Sequence, residues 1–214
     1  MFLYHETYYV TPGLQDHIDE RVRSLHENHA THESFIAGDW LRAVGDPVTH
    51  VAYRLWRTRD NDFDETQRAF MAEYNRTRPT DAFIHPPDIE FFDQLIVSRP
   101  AALREAGGAT GATCFVQTDL ELANRGLWYT WESALRDNLV QTEGFHEYRL
   151  FRFGGNENRF LRAELWRDVT AAESFWHDEA MRARMSDLGT RPFRRAPRIG
   201  YFEVLHQIGD PRRG

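Results

Sequence analysis

The stretch Val51-Ala52-Tyr53-Arg54-Leu55-Trp56-Arg57 returns 110 residues later as Leu161-Arg162-Ala163-Glu164-Leu165-Trp166-Arg167. Both copies alternate apolar and polar residues, the period-two pattern of a strand with two different faces. Sliding residues 3–98 onto 113–208 without a gap extends the match to 16 identities in 96 positions. Unrelated chains of ordinary composition would share on the order of six. The identities run from Leu25/Leu135 through Gly45/Gly155 and Trp56/Trp166 to Leu205, the mate of Leu95. A gapless internal match of this extent marks a duplicated module. The fold must therefore be one that a small module completes with its own copy.

Within the module, Leu3 to Val10 reads as a strand. Thr11-Pro12 is expected to open a helix, threonine as N-cap and proline in the first turn. Leu14, Ile18, Val22 and Leu25 keep helical spacing and predict one buried face. Phe35 to Val44 is a second strand, and Gly45-Asp46-Pro47 turns the chain into a third at Thr49–Arg57. Capping-box patterns at Asp62–Glu65 and Thr170–Glu173 open a second helix in each copy. Ile89 to Leu95 closes the unit. The result is β-α-β-β-α-β, the ferredoxin-like arrangement. Its four-stranded sheet has helices on one side and needs a second sheet on the other. The expected fold is thus α+β, two ferredoxin-like repeats packed as an intramolecular dimeric α/β barrel. The expected boundaries are 1–97 and 112–208, joined by an Ala/Gly-rich linker at 98–111 and followed by a tail at 209–214.

Composition narrows the class. A net charge of −7 over 214 residues argues against a general phosphate-binding surface, so no nucleic-acid partner is expected. The basic run Arg191 to Arg195 reads as a solvated loop. The single cysteine, Cys114, excludes an internal disulfide and suits a reducing cytoplasm. No stretch approaches the ~18 apolar residues of a membrane span. No dinucleotide or phosphate-binding glycine motif appears, and no GxSxG.

Ala163-Glu164-Leu165-Trp166-Arg167-Asp168 followed by Phe175-Trp176-His177 resembles the strand-helix signature of the antibiotic-biosynthesis monooxygenases. Tyr9-Val10-Thr11-Pro12-Gly13 and the His50–Trp56 strand resemble the related NIPSNAP proteins. Both resemblances imply the dimeric α/β-barrel fold. The first implies oxidation of an aromatic or polyketide-like molecule by O₂ in secondary metabolism, with no flavin or metal. A homodimer of the tandem barrel is compatible with it.

On the third strand, parity places His50, Ala52, Arg54 and Trp56 opposite Val51, Tyr53 and Leu55. The aliphatic set is expected under the helices, and the polar set where the sheets meet. Arg54 and its repeat-mate Glu164 are then candidates for an internal ion pair. His50 or His85 is the expected base, with Arg54 holding an enolate or phenolate oxygen. Tyr8, Trp40, Tyr53, Trp56 and His29 are the candidate substrate walls, with Tyr4 and Tyr9 adding aromatic surface. His26, His29 and His32, three residues apart, suggest either a metal or haem ligand or a helix end suited to positive imidazoles. First-copy histidines face Phe115, Leu127, Leu139 and Phe160 in the second copy, which suggests a working pocket in the first and a filled one in the second. Three functions follow: a cofactor-independent monooxygenase, a haem-binding barrel enzyme with His26, His29 or His85 as axial ligand, or a non-catalytic binding protein.

Overall fold

The computed structural model describes residues 1–59, 63–100, 111–188 and 192–209. Each repeat supplies four strands: β1 (Phe2–Tyr9), β2 (Phe35–Ala43), β3 (Thr49–Trp56) and β4 (Asp88–Ser98), then β5 (Ala112–Leu120), β6 (Phe145–Phe153), β7 (Arg159–Trp166) and β8 (Phe193–Gly209). The helices are α1 (Gln15–His29) and α2 (Glu65–Arg76) in the first repeat. The second has α3 (Arg125–Leu139), α4 (Val169–His177) and α5 (Glu179–Leu188). The strands are hydrogen-bonded in the order β1-β3-β2-β8-β5-β7-β6-β4 and close into an antiparallel barrel. This is the tandem ferredoxin-like barrel expected from the duplication.

The repeats match in register as well as in order. Phe2 pairs with Trp56 and Ala112 with Trp166, 110 positions on; Tyr9 with Thr49 corresponds to Asp119 with Arg159. The bulge between Phe35 and Ala37 recurs between Phe145 and Glu147. Such bulges re-aim a strand and persist as built features. The chain forms two compact units, 1–91 with 204–214, and 92–203.

Local chemistry departs from expectation at several helix starts. α1 begins at Gln15 with no side-chain cap. Thr11 instead donates its hydroxyl to the Asp81 carbonyl, and Gly13, at φ +88°, makes the turn into the helix. The α2 box is Asp64 with Gln67, each side chain bonding the other's backbone N–H; Asp62 lies outside the described residues. α4 is capped by Asp168, which accepts from the Ala171 N–H at 2.8 Å, and Thr170 is already helical. An extended backbone at Asp178 divides the expected second helix into α4 and α5. Most of the linker (101–110), Arg191 of the basic run and the tail beyond Gly209 are outside the described residues. Among those described, no helix is long and apolar enough to cross a membrane.

The faces are the principal correction. In the first unit, Trp40 and Ala52 pack with Ile18 and Val22 of α1. In the second, Phe160 and Trp166 pack with Trp128, Leu135 and Leu139 of α3 and Ala172 and Trp176 of α4. The set His50, Ala52, Arg54 and Trp56 therefore lies under the helices, and the aliphatic set takes the opposite face. Nearly every residue of β3 is buried, so alternation announces two faces without saying which one a helix covers. The filled second pocket also needs revision. Leu139 and Phe160 are core, but Leu127 is exposed and Phe115 packs edge-on against Phe202 instead.

Candidate functional site

Two polar clusters lie between sheet and helices, one in each unit. In the first, Arg54 of β3 donates to the Glu6 carboxylate of β1, and the Tyr8 hydroxyl donates to the same Glu6 oxygen at 2.7 Å. Glu6, Tyr8, His50 and Arg54 share one face because Tyr4 opposes Arg54 and Tyr8 opposes His50 in the ladder. From α1, Asp19 accepts the Trp40 indole N–H at 2.6 Å and stands 3.9 Å from His50 Nε2. His50 stacks on Trp40, ring centres 5.1 Å apart. Its Nδ1 lies 3.2 Å from the Val48 carbonyl, while its Nε2 is buried with no hydrogen-bond partner.

The electrostatics follow from burial. Desolvation lowers the His50 pKa, and Asp19 and the Val48 carbonyl only partly offset it. This imidazole is neutral at pH 7. Burial draws the Arg54 guanidinium down to about 10, so it stays charged. Burial raises the Tyr8 phenol, keeping it a donor.

Histidines form a separate group at the end of α1. His26 Nδ1 and His206 Nε2 are 3.2 Å apart. Gly38 leaves room for this ring, since a Cβ there would meet His26 atoms at 3.1 Å. His29 stacks on Phe63 and meets Trp56 edge-on. Desolvation, then neighbouring imidazoles, pushes His26 well below its usual range and His29 down to about 4. These rings are neutral, so the reading of positive imidazoles on a helix dipole does not hold. Among the described residues no three His, Cys, Asp or Glu side chains converge on a metal position.

In the second unit Arg162 is held bidentately by Glu132 of α3, at 2.8 and 2.9 Å, and donates Nε to Glu164 at 2.6 Å. Tyr148 donates to Glu132 at 2.8 Å. The indoles of Trp176 and Trp166 donate to the other Glu164 oxygen at 2.9 and 3.3 Å. Burial alone would lower the Arg162 pKa, but Glu132, Glu164 and Tyr148 carry it above its ordinary value. The expected Arg54–Glu164 pair is thus replaced by two local ones: each charge is matched within its own unit, because a nearer strand or helix supplies the counter-ion.

Of the residues singled out from sequence, Tyr8, Trp40, His50 and Arg54 come together. Trp56 and His29 sit with Phe35 and Phe63 in the histidine group. Tyr53 is buried on the opposite strand face. His85 is exposed, its ring 4.0 Å from that of Tyr9. Glu6 and Asp19 were missed. Strand pairing reveals Glu6, an acid on the helix-covered face two ladder rungs from Arg54.

No protein-family model matches the sequence, and no curated protein sequence matches it. Solved structures do. A candidate monooxygenase from Fusobacterium nucleatum superposes with a TM-score of 0.74 at 10% identity, covering 97% of this chain and 94% of that one. An anthrone oxidase-like protein gives 0.66 at 14%, covering 97% and 92%. The heme-degrading enzyme LmHde of Listeria monocytogenes gives 0.57 at 10%, covering 95% and 99%. At such identities the likeness defines the fold, a tandem dimeric α/β barrel in one chain.

Proposed function

We propose that this protein is a cofactor-independent monooxygenase acting on a small aromatic or polyketide-like molecule, with its working groups in the first repeat. The observation that carries this reading is His50: a buried neutral imidazole with an unpartnered Nε2, set among Trp40, Tyr8 and Asp19. Buried polar atoms are nearly always satisfied, and an exception calls for an explanation, of which a catalytic role is one. A neutral imidazole is the form that accepts a proton.

The substrate class is a methylene made acidic by an adjacent carbonyl and aromatic ring. His50 takes its proton, and Arg54, whose Nε has no partner, receives the enolate oxygen. The carbanion reduces O₂ and bonds to it. Loss of water then leaves a ketone: R₂CH₂ + O₂ → R₂C=O + H₂O. Four electrons leave the carbon, one oxygen atom enters the product and the other the water, so no external reductant is needed. Tyr8 and Trp40 form the aromatic walls, and Tyr8 and Asp19 are the partly exposed members through which a substrate would approach.

Haem is the second reading, because His26 Nε2 and His29 Nδ1 are, like His50 Nε2, buried without a hydrogen-bond partner; His85 is a surface ring against Tyr9.

The test is oxygen uptake with a panel of polycyclic ketones bearing an acidic CH₂, using ¹⁸O₂ and a chelator. One ¹⁸O per product from colourless protein is expected. A Soret band required for turnover would replace this reading with the haem one, and no uptake across the panel would favour a non-catalytic binding protein.

A further inference from the structure

We propose that the cavity between α3 and α5 of the second repeat binds a single-ring aromatic carboxylate. The cavity holds about 190 Å³ and is lined by Trp131, Ala134, Leu135 and Asn138 of α3 and Met181 and Arg184 of α5. A dry cavity of ~150 Å³ accepts one benzene ring, and drug-sized ligands need ~300 Å³ or more. The space thus holds one ring with a small polar group, and it opens to solvent beside Ala134 and Arg184.

The lining divides by chemistry. Trp131, Leu135, Met181 and Ala134 give an indole face and aliphatic walls for the ring. Arg184, exposed on α5, has no ion-pair or hydrogen-bond partner among the described residues. A guanidinium fork matches a carboxylate with two parallel bonds. Asn138 donates one amide hydrogen to the Ala134 carbonyl at 2.6 Å and keeps its second hydrogen for the ligand. On the sheet side, the Arg162 guanidinium lies 5.9 Å from the Trp131 ring.

The first repeat shows why this space is left open. The mate of Trp131 is Arg21, which is committed to α2: it donates to Thr77 Oγ1 at 3.1 Å and to the Tyr74 carbonyl, and covers the Tyr74 ring at 4.4 Å. That long cation ties the two helices together. In the second repeat an indole replaces it and makes no such tie, leaving a lined cavity where the first repeat has a clasp.

Calorimetric titration of the full chain with benzoate and with its neutral analogue benzyl alcohol tests the site. Ala134→Phe fills the cavity and Arg184→Gln removes the cation. Both positions are exposed, and circular dichroism verifies the fold. Benzoate should bind saturably, weaken at least tenfold in Arg184→Gln while benzyl alcohol does not change, and fail to bind Ala134→Phe. His50→Phe should bind benzoate like the parent, which separates this site from the oxygenase reading. Absence of saturable benzoate binding overturns the proposal. So does retention in Ala134→Phe, indifference to Arg184→Gln, or loss in His50→Phe.

Discussion

The two helix-facing layers descend from one module and bury charge in opposite ways. In the second repeat, Arg162, Glu132, Tyr148 and Glu164 form one network through the Arg162 Nε and Nη1 and the Tyr148 hydroxyl. At the matching positions the first repeat has Ala52, Val22, Gly38 and Arg54. Three of the four have become small or apolar, and Ala52 and Val22 pack as core. The remaining charge, Arg54, is balanced from another strand by Glu6, where the second repeat carries Val116. Each layer thus keeps its charges paired, as low dielectric demands, with a different partner set. One result is a lock whose two carboxylates are filled, with a single guanidinium nitrogen, Arg162 Nη2, left over. The other leaves a spare acceptor, His50 Nε2, in the same layer as a spare donor, Arg54 Nε, and proton transfer needs an acceptor of that kind.

The comparison breaks most sharply at Arg162. Replacing it with Met strands Glu132 and Glu164 without their cation, and removing one partner of a buried pair typically destabilises by about 3–5 kcal/mol. Urea unfolding should show this loss, with partial recovery when Glu132→Gln is added. A loss under about 1 kcal/mol would mean the network is not the lock described.

Acid should act mainly on the first repeat. The folded pKa of His29 is about 4 against 6.5 for the free side chain, so between those values the unfolded chain binds more protons. Stability is full above pH 6.5 and is lost as pH falls toward 4, by up to about 3 kcal/mol for this group. His29→Leu, which installs the residue found at Leu139, should flatten the acid limb of a stability-against-pH series. An unchanged limb would assign the acid sensitivity elsewhere.

The smallest expected effects are at the helix starts. Asp168→Ala removes the α4 cap and Asp64→Ala the α2 box, each at a cost of about 1 kcal/mol. Thr170→Ala should cost less, because Asp168 already accepts the Ala171 N–H. The melting temperatures of the three variants rank the caps directly.

Much of the fold was legible because duplication repeats its errors as well as its signals. The gapless offset carries strand order, ladder register and even the bulge at Phe35/Phe145. The direction of the polar face was not legible, since a barrel strand buries both faces and parity carries no sign. Arg54 and His50 could be chosen from the sequence because they differ from Glu164 and Phe160. Glu6 and Asp19 could not, because their importance comes from which strand and which helix turn stand opposite them. The cap at Asp168 was hidden by a second plausible pattern two residues later. The α4–α5 break at Asp178 had no Gly or Pro to announce it.

The central claim, that chemistry belongs to the first repeat and the lock to the second, is tested most directly by turnover of His50→Phe. Phenylalanine is the residue at the matching position 160, where it packs on Trp128 with ring centres 4.6 Å apart, and at position 50 it can stack on Trp40. With the parent's oxygen uptake as reference, turnover should fall about 10²–10⁴-fold, the span of general-base catalysis, with the melting temperature within a few degrees of the parent. Full turnover in a correctly folded His50→Phe protein would contradict the account.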